Sequence, residues 1–263
     1  MLELLDKGEV STAHPVPVLF VHGGFHAAWC WDDHFLDYFA GQGFRATAVS
    51  LRAHGGSTTE QRLSDCRIVD YVADVRSAVE RVGQPPILVG HSMGGFVVQR
   101  FLGTTDAPAA VLLGSVPIRG ALRTSIRLMR RHPVLVVKNY AGGGSAVDLV
   151  REPRMCREQL FSPGTPDDIV QACAARVQDE SMRAAGYDMV FGKKPKPAQV
   201  RTPVLVLGAE QDGFVHPNDV RATARGYRTR AEFFPGMGHN MMVEPGWQAV
   251  ADRIISWLGD RLL

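Results

Sequence analysis

The chain of 263 residues is poor in cysteine and has no long apolar run. Cys30, Cys66, Cys156 and Cys173 are scattered, with no CxxC pair and no histidine at ligand spacing, which argues against a zinc site and against a disulfide framework. Buried, reduced thiols are expected instead. No continuous apolar stretch approaches the roughly 20 residues that cross a bilayer. The opening MLELLDKGEV carries acids where a signal peptide would carry a basic patch and an apolar core. These two absences predict a cytoplasmic protein without a membrane span. A charge excess is missing too: 29 Lys+Arg against 27 Asp+Glu leave +2, which implies no polyanion and so no nucleic-acid partner. Last, the glycine loop LRAHGGS at 51–57 lacks the GxGxxG spacing, and no helix pattern starts at once after it, so it reads as a structural turn and not a nucleotide cradle.

What remains is an ordinary globular composition, 45% apolar and 21% charged, in a chain long enough for one large core, or for one core with an inserted lid. Short apolar runs at Val16–Val21, Arg45–Val49, Ile87–Val89, Ala110–Leu113, Val204–Leu207 and Glu232–Phe234 alternate with helix-like stretches. That alternation predicts a mainly parallel sheet, dry on both faces, between helix layers. Ile68, Val72, Val75, Val79 and Val82 recur at steps of four and three, as do apolar residues from Trp247 to Leu258, each the stripe of a helix lying on a sheet. From Pro117 to Pro197 the strand rhythm stops. This segment holds 14 Lys+Arg and 8 Asp+Glu, hence +6, while the remainder holds 15 and 19, hence −4. A helical cap over 117–197, inserted into a core of 1–116 and 198–263, is expected, with AGGGSA at 141–146 as a turn between cap helices.

The pentamer Gly90-His91-Ser92-Met93-Gly94 has the form G-x-S-x-G between the strand run PPILV and a helix run containing Phe96, Val97, Phe101 and Leu102. A serine on so sharp a strand-to-helix turn is strained, needs small neighbours, and has its hydroxyl thrust out at the C-terminal edge of the sheet. Free N–H groups of the following helix aim at the same point, so the Met93 amide is a candidate oxyanion donor. A serine nucleophile needs a histidine base and an acid to orient it. Asp212 follows the strand run Val204–Leu207 in GAEQD, with Glu210 as its rival, and His239 follows AEFF in GMGH. His91 is expected to pack beneath the elbow. In the loop HGGFHAAWCW after the first strong strand, Gly24 is the candidate second amide donor, a plain glycine turn being the alternative, and His22 is expected to tie the loop by hydrogen bonds. Trp29 and Trp31 are expected as core and helix-anchor residues, in preference to substrate platforms.

HGG, HGGS, GHSMGG, GAEQD and GMGH together resemble the α/β-hydrolase superfamily, in its order and approximate spacing across almost the whole chain. The resemblance implies an α/β fold with a mostly parallel sheet, helices on both faces and an inserted helical cap. It also implies Ser92 as nucleophile, His239 as base and Asp212 as orienting acid, with no metal or organic cofactor. HGGFHAAWCW is most similar to the plant methylesterase and hydroxynitrile-lyase group. Lyase members carry threonine and lysine where Gly23 and Asn240 stand here, so cyanohydrin cleavage is disfavoured. Many superfamily members have two antiparallel strands before the HG strand. The fifteen or so residues available here predict that at least one is short or missing.

The expectation is therefore a carboxylic-ester hydrolase for a small-molecule acyl ester. Carbon–carbon hydrolysis, lactone opening and perhydrolysis are open to the same three residues, and a non-catalytic small-ligand receptor is the rival from another class. A homo-oligomer stays open. Arg119, Arg123, Arg127 and Arg130 recur at helical steps and are expected on a solvated outer face; if they face the pocket instead, anionic esters should be preferred.

Overall fold

Among the described residues, seven strands form one sheet in the order β1-β3-β2-β4-β5-β6-β7. The computed structural model describes residues 1–141 and 145–263, the side chains of Asn139 and Tyr140 excepted; the glycines at 142–144, and with them the centre of the expected AGGGSA turn, lie outside it. The strands are β1 (Leu4–Lys7), β2 (Val18–Val21), β3 (Ala46–Val49), β4 (Ile87–His91), β5 (Ala110–Leu113), β6 (Val204–Ala209) and β7 (Ala231–Phe234). All pair in parallel except β1, which runs antiparallel along β3 with Leu4 opposite Val49. Of the two antiparallel strands common before the HG strand, one is present, four residues long.

From β2 to β6 every strand residue is buried, as befits a parallel sheet covered on both sides. Alternate residues serve alternate layers. Val18 and Phe20 of β2 face Trp31 of α1 (Trp29–Asp32), Phe35 and Phe39 of α2 (Phe35–Gly41), and Ile254 of the final helix. Leu19 and Val21 face the other layer, with Tyr71 and Val75 of α3 (Ile68–Val82) and Phe96 and Phe101 of α4 (Ser92–Leu102). Glycine in the left-handed region, Gly83 at φ 90°, stops α3 at the end of its apolar stripe.

Between β5 and β6 the described chain is helical: α5 (Leu122–Arg131), α6 (Pro133–Tyr140), α7 (Pro153–Leu160), α8 (Asp167–Arg176), and a π-helical stretch Met182–Asp188 running into α9 (Met189–Phe191). After β6 come α10 (Pro217–Gly226) and α11 (Trp247–Gly259), whose Val250, Ala251, Ile254 and Leu258 are buried on the sheet. β2 has β3 on one side and β4 on the other, so the chain reverses its direction of travel across the sheet between β2 and β4. The loops leaving their C-terminal ends diverge there and leave a crevice, the usual place for a ligand in an open α/β sheet. No helix among the described residues is long and apolar enough to cross a membrane.

Candidate active site

β4 ends at His91 and α4 begins at Ser92 with no loop between them, and Ser92 takes up the turn with a positive φ of 51°. A non-glycine residue pays strain there, and close packing holds it in place. A Cβ on Gly94 would lie 2.2 Å from the His22 carbonyl oxygen, and one on Gly90 would lie 2.7 Å from the Gly95 Cα. The flanking glycines are what let α4 approach β2 and turn back on β4.

The structure brings Ser92, His239 and Asp212 together. The Ser92 Oγ lies 2.8 Å from the His239 Nε2, and the His239 Nδ1 lies 2.8 Å from the Asp212 Oδ2. The other Asp212 oxygen accepts the backbone N–H groups of Phe214 and Val215 at 2.8 and 2.7 Å, so the carboxylate is fully committed and its side chain is wholly buried. With Asp212 accepting from Nδ1, Nε2 is left to accept the Ser92 proton. Glu210, the rival acid, points into solvent. The histidine loop is itself held. His91 donates its Nε2 proton to the His239 carbonyl at 2.9 Å, and buried Glu244 accepts the N–H groups of Gly238 and Ser162. Burial raises the Glu244 carboxyl, against the lowering effect of those hydrogen bonds.

Gly24 and Met93 line the same cavity as Ser92 and His239, and neither N–H has a hydrogen-bond partner among the described residues. Two donors without partners beside a serine hydroxyl are placed as an oxyanion would require. The loop that carries Gly24 is tied down by histidines. His22 donates through Nδ1 to the Gly23 carbonyl and accepts the Leu51 N–H at Nε2, 3.0 Å away. His26 donates through Nδ1 to the Gly24 carbonyl at 2.8 Å and accepts from the Asn240 amide at 3.1 Å. Burial holds both imidazoles neutral, pushing His26 down to about 4 and His22 well below the usual range. Trp31 lies in the core against Phe20, and Trp29 stacks on His26.

Sequence reasoning passed over two groups here. One is the Asn240–His26 contact, which joins the histidine loop to the Gly24 loop. The other is Glu180, which lines the cavity from the helical segment and is buried with His54 and Tyr71. Glu180 accepts the Tyr71 hydroxyl at 2.8 Å and the Ser181 N–H at 2.7 Å, and its second oxygen faces the His54 Nε2 at 3.2 Å. Burial alone lowers the His54 imidazole, but the negative charge of Glu180 and the hydrogen bond from Nδ1 to the Arg52 carbonyl outweigh it and leave it raised. Nothing in the LRAHGGS loop, read alone, names a partner more than a hundred residues away.

The cavity holds about 970 Å³ of empty space, open solvent at its mouth included, and its wall is mostly apolar, with Phe25, Leu128, Leu149, Leu160, Met182 and Phe214 among the lining residues. None of the arginines of the 119–130 stripe lines it; Arg119, Arg123 and Arg130 are exposed, on the outer face expected of them. Among the described residues no group of three or more His, Cys, Asp or Glu side chains is placed to hold a metal ion.

Among known proteins, the chain is 36% identical over 107 residues to the bifunctional esterase/perhydrolase DCH of Acinetobacter calcoaceticus, an alignment that covers 38% of this chain and 37% of that one. It is 25% identical over 183 residues to the esterase PIR7B of Oryza sativa subsp. japonica, covering 62% of this chain and 66% of the relative. It thus spans less than two thirds of the length of either. In fold it matches BpoC of Mycobacterium tuberculosis H37Rv with a TM-score of 0.78 at 23% identity, over 99% of this chain and 96% of that one. The sequence profile of the alpha/beta hydrolase family matches residues 18–253, from β2 into α11, and the chain belongs to that family.

Proposed function

We propose that the protein is a serine carboxylic-ester hydrolase that takes small or medium acyl esters through an acyl-serine intermediate. The observation that carries this reading is the row of Ser92, His239 and Asp212, joined by two contacts of 2.8 Å at the floor of an apolar cavity. His239 Nε2 takes the Ser92 proton as Oγ bonds to the ester carbonyl carbon, and Asp212 stabilises the imidazolium that results. The oxyanion is held by the Gly24 and Met93 N–H groups. The imidazolium then protonates the leaving alkoxide as the carbon–oxygen bond breaks. Water repeats the sequence on the acyl-serine, giving its proton to Nε2 and its hydroxide to the acyl carbon, and the acid leaves as Ser92 regains its proton. In this reading residues 117–197 act as the cap that walls off the cavity, on a core of 1–116 and 198–263. Among the described residues no arginine lines the cavity, which favours neutral over anionic esters.

Hydrolysis of p-nitrophenyl esters of graded chain length tests the reading. Ser92→Ala is expected to abolish turnover while the circular dichroism spectrum is retained, and Asp212→Asn to lower kcat about 10⁴-fold by stabilising the wrong tautomer. Glu210→Gln is expected to change nothing. Unaltered turnover in Ser92→Ala would sink the assignment. A second outcome of the same acyl-serine is favoured by the Acinetobacter relative, which is described as both esterase and perhydrolase. Hydrogen peroxide in place of water would release a peracid, and peracid formation from an ester and peroxide measures this directly.

A further inference from the structure

We propose that α5 and α6 form a docking face for an anionic lipid surface, from which an amphiphilic acyl ester enters the cavity beneath them. The substrate half of this inference rests on the ester-hydrolase reading, whereas the docking half does not.

Helix α5 carries three stripes. Thr124, Ser125 and Leu128, with Ala121 just before the helix, line the cavity. About 120° round, at 3.6 residues per turn, lie Leu122, Ile126 and Met129. These are exposed by 48%, 44% and 38%, and on α6 Val134 and Val137 are exposed by 80% and 55%. Meanwhile Val136 of α6 is buried and lines the cavity. A helix needed only as a cavity wall carries polar residues on its outer side. A run of five exposed apolar residues over two consecutive helices is a surface built to be covered.

The third stripe says by what. No Asp or Glu occurs between Asp106 and Asp148, while Arg119, Arg123, Arg127, Arg130, Arg131 and Lys138 fall in that interval. Arg127 anchors the helix, donating to Asp219 at 3.2 Å and to the Phe214 carbonyl at 2.7 Å, and Arg123 lies 3.5 Å from the same carboxylate. Arg119, Arg130 and Arg131 are exposed and form no ion pair among the described residues. Apolar side chains flanked by guanidinium groups suit a lipid layer with anionic headgroups, the apolar stripe entering the acyl boundary and the arginines meeting phosphates. A second copy fits poorly: a two-fold contact through this face would set arginines against arginines. Since the covered face and the cavity wall share one helix, a docked molecule holds its cavity close to the lipid that carries the ester.

Sedimentation with vesicles tests the proposal. The parent chain is expected to bind vesicles of phosphatidylcholine mixed with phosphatidylglycerol about tenfold more than vesicles of phosphatidylcholine alone, with the difference lost at high salt. Arg130→Gln with Arg131→Gln is expected to remove most of the difference, and Ile126→Gln with Val134→Ser to weaken binding to both vesicles. Both double variants should hydrolyse a soluble short-chain aryl ester at the parent rate. Ser92→Ala should bind vesicles as the parent does, so a failure of the esterase reading leaves the docking result standing. A parent that binds neither vesicle, binds both equally, or instead dimerises and is returned to monomer by Ile126→Gln, overturns the proposal.

Discussion

The side-chain amide of Asn240 donates to the His26 Nε2 at 3.1 Å, so the residue after His239 is fastened to the loop that carries Gly24. The direction of that bond is forced. His26 spends its one ring proton on the Gly24 carbonyl, its other nitrogen must accept, and the amide of Asn240 must therefore present its NH₂ group. The Asn240 amide also reaches the Cys173 thiol at 3.5 Å, which brings α8 into the same knot.

If the Gly24 N–H stabilises an oxyanion, loosening this knot should cost rate more than binding. His26→Ala is expected to lower kcat on an aryl ester by roughly 10- to 100-fold with KM nearly unchanged, a smaller loss than deleting an oxyanion donor outright. His26→Asn, whose amide can replace the Nδ1 donor, should recover much of it. Steady-state kinetics on the two variants decide the matter, and an equal effect on kcat and KM in both would mean the contact is merely structural.

Gly94→Ala should damage folding before chemistry. Its Cβ would fall 2.2 Å from the His22 carbonyl and 2.5 Å from that of Val21, both backbone atoms at the end of β2 that cannot swing aside. A cost of about 2–4 kcal/mol is expected, a fall in Tm of roughly 5–10 °C. Gly41→Ala, where nothing lies within 4 Å, serves as the control and should leave Tm nearly unchanged or raise it. Calorimetry that shows equal shifts at the two glycines would contradict the packing argument.

Acid should weaken the fold through histidines kept neutral by burial. Unfolded histidine titrates near 6.5. The folded values are depressed, to about 4 for His26 and well below the usual range for His22 and His91. Below pH ~6.5 the unfolded chain therefore binds protons that the folded chain refuses, and stability falls as pH falls toward the folded values. His54, raised on balance by Glu180, acts in the opposite sense and only as pH rises above ~6.5. His26 alone should account for about 3 kcal/mol between pH 6.5 and 4, at about 1.4 kcal/mol per unit. Urea unfolding at a series of pH values should show a shallower acid decline in His26→Gln than in the parent; identical slopes would refute the assignment.

The parallel strands were readable because each is an apolar run with both faces buried, a pattern carried wholly by adjacent residues. Val16 dropped out of β2 because Pro17 follows it and lends only its carbonyl, to the Ile87 N–H. β1 left no comparable mark. It lies at the edge of the sheet, and Asp6 and Lys7 make up half of LLDK. The residues now found in one hydrogen-bonded row were legible for a different reason: each stands on the stretch that leaves the end of a strand, and parallel strands end at the same rim. The partners of Glu180 and Asn240 were not legible. Tyr71 and His26 lie 109 and 214 residues from them along the chain, and only the folded path across the sheet makes them neighbours.

Ser92 and His239 are linked twice, once through their own side chains and once through His91, which donates to the backbone of the histidine loop. Both links, and Asp212 with its two amide donors, come from stretches before residue 117 or after residue 197. Most of the apolar lining that a guest would meet comes from the stretch between. In the proposed reading the machinery and the sieve thus occupy separate portions of the polypeptide, so drift in the sieve would retune which molecules are admitted while the machinery stays in register.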